Sequence, residues 1–228
     1  MIFNKINDII LLGGSMKNKL ISNVFLWMFV GLLVTFLTGY FISTNERMLL
    51  TVFSTGTYII FAIVELILVI VLSARIRKLK PTTCKVMFLL YSFVSGLTFS
   101  SIFITYKMVS IIYVFLIAAL LFGVFALIGY KTKVDLTKFG TYLFMGLLAT
   151  IIVSIINIFV GNQMLDLIIS VVIILIFIGV TAYDIQKIKH MSNSSIPEEN
   201  LAIYGALELY LDFINIFLNL LRLFGDDR

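Results

Sequence analysis

The chain has 228 residues and a formal net charge of +5, and 61% of its residues are hydrophobic whereas only 13% are charged. Soluble domains carry about 25% charged residues, so this composition excludes an ordinary water-soluble protein and predicts lipid around most of the surface. The basic residues lie mainly in short loops between apolar runs, where they act as membrane-topology signals. No nucleic acid is therefore expected as a partner.

Seven stretches are long and apolar enough to cross a bilayer, which takes about 20 residues each. In chain order they cover about 21–43, 52–74, 84–106, 109–130, 140–161, 164–186 and 201–222. These continuous runs lack the alternation of a β-barrel. The sequence thus predicts an all-α membrane protein. It has a short cytoplasmic segment over 1–19, one seven-helix transmembrane domain over 20–225 and a tail over 226–228.

The distribution of basic residues predicts the orientation. With the N-terminus in the cytoplasm, the outer side holds Arg47, Lys107, Arg222 and Arg228. The other 13 of the 17 Lys and Arg residues face the cytoplasm, a strong positive-inside bias. Seven crossings leave the C-terminus outside, whereas a re-entrant last segment would return it to the cytoplasm.

No enzyme or cofactor motif is evident. The single cysteine, Cys84, and single histidine, His190, exclude an intrachain disulfide and argue against a structural zinc site. An intramembrane aspartyl protease would use Tyr-Asp on one helix and Gly-x-Gly-Asp on the next. Asp184 follows a tyrosine, but Asp212 lacks the glycines. We therefore expect neither catalysis nor a bound cofactor.

The seventh segment carries a polar stripe on an otherwise apolar helix. Its members are Glu208, Asp212, Asn215, Asn219 and Arg222. At about 100° per residue, they fall within an arc of roughly 80°. Such a stripe faces either a water path or polar partners that join the helices. Both interpretations stay open, and the pattern favours the path.

Asp184, near the cytoplasmic end of the sixth segment, has two candidate partners. Lys187 lies three residues later, at the spacing of a simple ion pair, which the residues alone favour. Alternatively, Asp184 meets Asp212 across the bundle, where two close carboxylates cannot both carry a charge cheaply and so respond to pH. Arg75 and Arg77 end the second segment on the same side, where they either reach headgroups or bind Asp184.

The segment Gly205–Gly225, with Glu208, Asp212 and Arg222, resembles the terminal signature of the Bax inhibitor-1 family, also called the transmembrane Bax-inhibitor-motif family. Three further stretches are similar to family motifs. They are Trp27–Tyr40 in the first span, Phe122–Leu136 at the exit of the fourth, and Ala182–Gln186 at the end of the sixth. The short N-terminus and compact loops resemble a bacterial member.

The resemblance implies seven helices, with the last one central and enclosed by the other six, and a calcium leak that responds to pH. Asp184 and Asp212 match the paired carboxylates of the sensor, which would contact calcium transiently. Arg75, with Arg77 as second choice, matches the basic residue that latches onto the first aspartate. Glu208 stands where some members have serine. The anti-apoptotic activity of eukaryotic members is not extended to this chain.

The expected function is therefore a passive, pH-sensitive, calcium-permeable channel or leak in the bacterial plasma membrane. Calcium and protons are the ions concerned, and lipid surrounds the protein. The alternatives are a non-conducting regulator that binds other membrane proteins and a proton-coupled transporter.

Overall fold

The computed structural model describes residues 2–227, and the side chains of residues 18–227 except that of Thr55. Most side chains of the predicted segment 1–19, and Arg228 of the predicted tail, lie outside this part. All regular secondary-structure elements of the described chain are helices. Its helices are α1 (Ile2–Ser43), α2 (Glu46–Val52), α3 (Thr55–Arg75), α4 (Pro81–Thr105), α5 (Met108–Lys131), α6 (Thr137–Val160), α7 (Gln163–Met191) and α8 (Glu198–Phe224).

Seven helices, all except α2, are long and apolar enough to cross a membrane. The prediction of an all-α protein with seven spans is confirmed. The sequence did not predict α2, a seven-residue helix whose N-cap is Asn45. The Asn45 side chain accepts a hydrogen bond of 3.2 Å from the backbone of Met48. Because α2 occupies Glu46–Val52, the second span starts a few residues later than predicted.

Helix α8 is the most buried of the seven spans. In its most apolar 18-residue stretch, 72% of the residues are buried inside the protein, against 56% in α4 and less elsewhere. It packs against α1, α3, α4, α5 and α7, whereas α6 packs against α7. Enclosure by all six other spans is therefore not confirmed.

The length of α8 bears on whether the last segment crosses fully. It is a continuous helix of 27 residues, about 40 Å long, and a hydrocarbon core is about 30 Å thick. This length favours a full crossing over a re-entrant segment. The orientation, with a cytoplasmic N-terminus, stays a prediction.

Tyr210 fixes the rotation of α8 in the bundle. Its side chain is fully buried, and its hydroxyl lies 2.7 Å from the hydroxyl of Thr35 in α1. The rings of Phe88 and Tyr91 in α4 meet it edge-on, with centroids 6.2 and 5.5 Å away. These contacts turn one side of α8 toward α1 and α4, so that Asp212, two residues later, lies on another side.

A close approach of α5 sets the position of α7. Gly129 of α5 lies directly against the backbone of Ala182, two residues before Asp184. On the other flank, Gly140 of α6 faces the ring of Tyr183. Because neither glycine has a side chain, both helices come close to the segment that carries Asp184.

Replacing Gly129 with alanine is expected to destabilise the protein. The added methyl group would overlap the Ala182 backbone, which has to move, at a cost of about 1–3 kcal/mol. Thermal unfolding in detergent would show a lower midpoint. Gly123→Ala is the matched control on the same helix, because a methyl group added there meets no described atom of another helix within 4 Å. Equal midpoints for both variants would contradict the packing role of Gly129.

Candidate functional site: a carboxylate cluster between the last two helices

Three carboxylates gather at the contact between α7 and α8, and we call Asp184, Glu208 and Asp212 the carboxylate cluster. Asp184 is 4% exposed and Asp212 is 3% exposed, whereas Glu208 is half-buried. The two aspartates lie close enough to interact electrostatically across the helix contact. The structure thus places Asp184 and Asp212 at the same helix contact. Their spacing along the chain does not predict this proximity.

Lys187 joins the two helices at this cluster. Its Nζ lies 3.4 Å from Oδ1 of Asp184 and 3.1 Å from Oε2 of Glu208. The ammonium group also lies 5.2 Å from the ring centroid of Tyr204. The predicted ion pair between Asp184 and Lys187 within α7 is therefore present, and Lys187 also bridges to Glu208 of α8. Within the described part of the chain, Asp212 has no ion-pair partner.

Several buried oxygen atoms of α8 lack a hydrogen-bond partner. Of the five such side-chain oxygens among the described residues, four belong to this helix: those of Glu198, Asn200, Asp212 and Asn219. Buried acceptors are normally paired, so each unpaired one needs an explanation. An oxygen without a partner is available to water or to a cation.

The amides of the polar stripe bond within their own helix. Asn215 donates to the carbonyl of Leu211 and Asn219 donates to the carbonyl of Asn215, both at 2.8 Å. Arg222, at the end of the stripe, is exposed. A seam that joins helices would need side-chain bonds to neighbouring helices, and neither asparagine makes one among the described residues. Glu208 of the same stripe does bond to Lys187 of α7, so the path and seam interpretations of the stripe both stay open.

The arginines of the second span lie apart from the cluster. Arg75 and Arg77 are both exposed at the end of α3 and its following turn. Among the described residues, neither forms an ion pair, and the cation at Asp184 is Lys187. The structure does not bring the predicted latch to Asp184, so that role stays a prediction.

The loop between α5 and α6 is tied to α7 beside the cluster. The side chain of Gln186 donates to the carbonyl of Val134 and accepts from the N–H of Leu136, both at 2.8 Å. In the same loop, hydrogen bonds from the hydroxyl and N–H of Thr137 hold the pKa of Asp135 below its usual range. The two chain segments that resemble family motifs thus meet here and hold the end of α7.

Two contacts of the cluster were not predicted from the sequence. Tyr204 precedes Glu208 by four residues, so the two share a helix face and the spacing could have revealed the pair. The bridge from Lys187 to Glu208 spans 21 positions and two helices, and no sequence signal predicts it. In the described residues, no group of three or more His, Cys, Asp or Glu side chains has the arrangement of a metal site.

These features define a class: a multi-pass helical membrane protein with a buried carboxylate cluster between its last two spans. Comparison with known proteins names the family. The family described as "Inhibitor of apoptosis-promoting Bax1" matches residues 17–228, and the chain belongs to it. The predicted membership of the Bax inhibitor-1 family is therefore confirmed.

The similar proteins are bacterial. The chain is 41% identical over 213 residues to the "Inner membrane protein YbhL" of Escherichia coli (strain K12), which covers 91% of each chain. It is 39% identical over 217 residues to an uncharacterized protein of Borreliella burgdorferi, covering 93% of this chain and 94% of the other. An uncharacterized protein of Deinococcus radiodurans is 35% identical over 210 residues, covering 91% and 90%. The prediction of a bacterial-type, multi-pass membrane protein is confirmed.

Proposed function

We propose that this protein is a passive, pH-sensitive, calcium-permeable leak of the bacterial plasma membrane, with the carboxylate cluster as its pH sensor. The observation that carries the proposal is the buried carboxylate of Asp212, which interacts with Asp184 and whose Oδ2 accepts no hydrogen bond from the described protein residues. An ionisable residue inside a membrane bundle usually marks an ion or proton pathway. The name of the Escherichia coli relative supports the location.

The charge balance of the cluster gives it a reason to respond to pH. Three carboxylates face one ammonium group, that of Lys187, so full ionisation leaves uncompensated negative charge in a buried place. Buried charge without a partner is costly, and either protonation or a bound cation removes the cost. Protons and calcium should therefore compete for these oxygens, and acidification should shift the population between conformations.

The polar stripe supplies a route for the permeant ion. Calcium prefers carboxylate and carbonyl oxygens, and the amide and carboxylate oxygens of α8 follow one face of that helix. The unpartnered oxygens of Asp212 and Asn219 lie two turns apart on this face. A hydrated calcium ion could exchange water for these oxygens one at a time, and weak successive contacts suit conduction better than a tight site. No catalytic activity and no resident cofactor form part of this proposal.

A flux measurement tests the function. The purified protein, placed in liposomes, is expected to pass calcium down its gradient several-fold faster at pH 6 than at pH 8. An ionophore that collapses the proton gradient should leave this flux unchanged. A non-conducting regulator would pass no calcium at either pH, and a proton-coupled transporter would stop when the gradient collapses. Either result would overturn the proposal.

A further inference from the structure

Lys187 lies near the C-terminal end of α7, one residue beyond the predicted span 164–186, and 29% of its side chain is exposed. Two residues later, Lys189 donates to the carbonyl of Tyr130 at 3.0 Å and lies 4.8 Å from the centroid of that ring. Of the two lysines on one helix, only Lys187 enters the carboxylate cluster.

The surroundings of Lys187 come from two helices. The charged and titratable groups that face it are Asp184 and Tyr183 on its own helix, and Tyr204 and Glu208 on α8. Asp212 of α8 also interacts with it. Helices α5 and α6 pack on α7 but contain no acidic residue, and among the described side chains α1 contributes none either. Among the described helices, the carboxylates that act on this ammonium group are therefore those of the carboxylate cluster.

We propose that Lys187 is a tethered cation that occupies the place in the cluster that a permeant cation would take. This proposal rests on the leak function and names how the same site is regulated. Because the ammonium group is carried on a flexible four-carbon side chain, it can move away from the carboxylates without a movement of the backbone. While bound, it bridges α7 to α8 through Asp184 and Glu208. When the carboxylates are protonated, the attraction falls and the bridge is released.

Lys187→Gln tests the tethered cation. A nearby positive charge favours the ionised form of a carboxylate, so its removal makes protonation easier. The midpoint of calcium flux against pH is expected to move to higher pH by about one unit. Flux at pH 8 should rise several-fold, because calcium no longer competes with the lysine. Lys187→Arg, which keeps the charge, should restore a profile close to that of the wild type.

Lys189→Gln is the matched control, since this lysine lies on the same helix outside the cluster, and its pH profile should stay unchanged. If the wild type conducts calcium and the midpoint of flux against pH is the same in Lys187→Gln, the proposed role of Lys187 is wrong. The proposed leak function would not be affected by that result. A shift in Arg75→Ala with none in Lys187→Gln would assign the role to the arginine instead.

A second measurement separates this proposal from the leak function. If the wild type passes no calcium, the leak fails, and the gating role of Lys187 fails with it. The bridge itself is then measured by a double-mutant cycle of Lys187→Gln and Glu208→Gln on the unfolding temperature. We expect an interaction energy between the two residues at pH 8 that is smaller at pH 6. If the two substitutions have additive effects at both pH values, the bridge does not join the helices.

Discussion

Replacing Asp212 with asparagine is expected to remove most of the rise in calcium flux between pH 8 and pH 6. Asparagine keeps the shape of the side chain but does not titrate, so the cluster loses one of its carboxylates at every pH. Asp212 is 3% exposed and has no ion-pair partner among the described residues, so its charge is the least compensated in the cluster. Flux in liposomes at several pH values should give a nearly flat profile.

Asp166→Asn is the matched control for this substitution. Asp166 lies at the opposite end of α7, is exposed, and accepts a hydrogen bond of 2.7 Å from Asn157. Its variant should keep the wild-type profile. Asp184→Asn is a second test variant and should also flatten the pH profile, because protonation of either aspartate relieves the same repulsion. If both Asp184→Asn and Asp212→Asn respond to pH as the wild type does, the cluster is a structural feature and not a sensor.

The number of spans could be predicted because hydrocarbon thickness imposes a minimum length on every apolar run. This minimum length does not apply to α2, because its seven residues are too few to cross a membrane. Asn45, the N-cap residue directly before Glu46, is the sequence signal that could have revealed this helix. Length and hydropathy therefore predict the spans but not a short connecting helix such as α2.

The polar stripe could be predicted because its residues share one helix, where spacing gives the angle between side chains. The meeting of Asp184 with Asp212 depends on how α7 packs against α8, and spacing along the chain carries no such information. Close contacts set that packing, as at Gly129 against Ala182. The resemblance to the family supplied what spacing could not for the two aspartates. It did not anticipate Lys187 as the cation that meets Asp184 in this structure.

Asn219 separates the two interpretations of the polar stripe, because its bonding differs from that expected of a joining residue. It is 7% exposed, its amide donates within its own helix, and its Oδ1 accepts no hydrogen bond from the described residues. Asn219→Leu is expected to lower calcium flux at pH 6 about tenfold, which corresponds to about 1.4 kcal/mol. Leucine removes an oxygen acceptor and makes the path hydrophobic at that level, which impedes hydration of the ion. The unfolding temperature should stay equal or rise.

Asn200→Leu provides the opposite case on the same helix. The amide of Asn200 donates to the carbonyls of Ile76 and Leu79, at 2.7 and 2.8 Å, and so ties the start of α8 to the segment between α3 and α4. Its loss leaves those carbonyls without that donor and should cost about 1–3 kcal/mol of stability. If Asn219→Leu instead behaved like Asn200→Leu, with a lower unfolding temperature and unchanged flux per folded protein, the stripe would be a packing seam. A loss of flux at full stability would support a place for Asn219 beside the ion path.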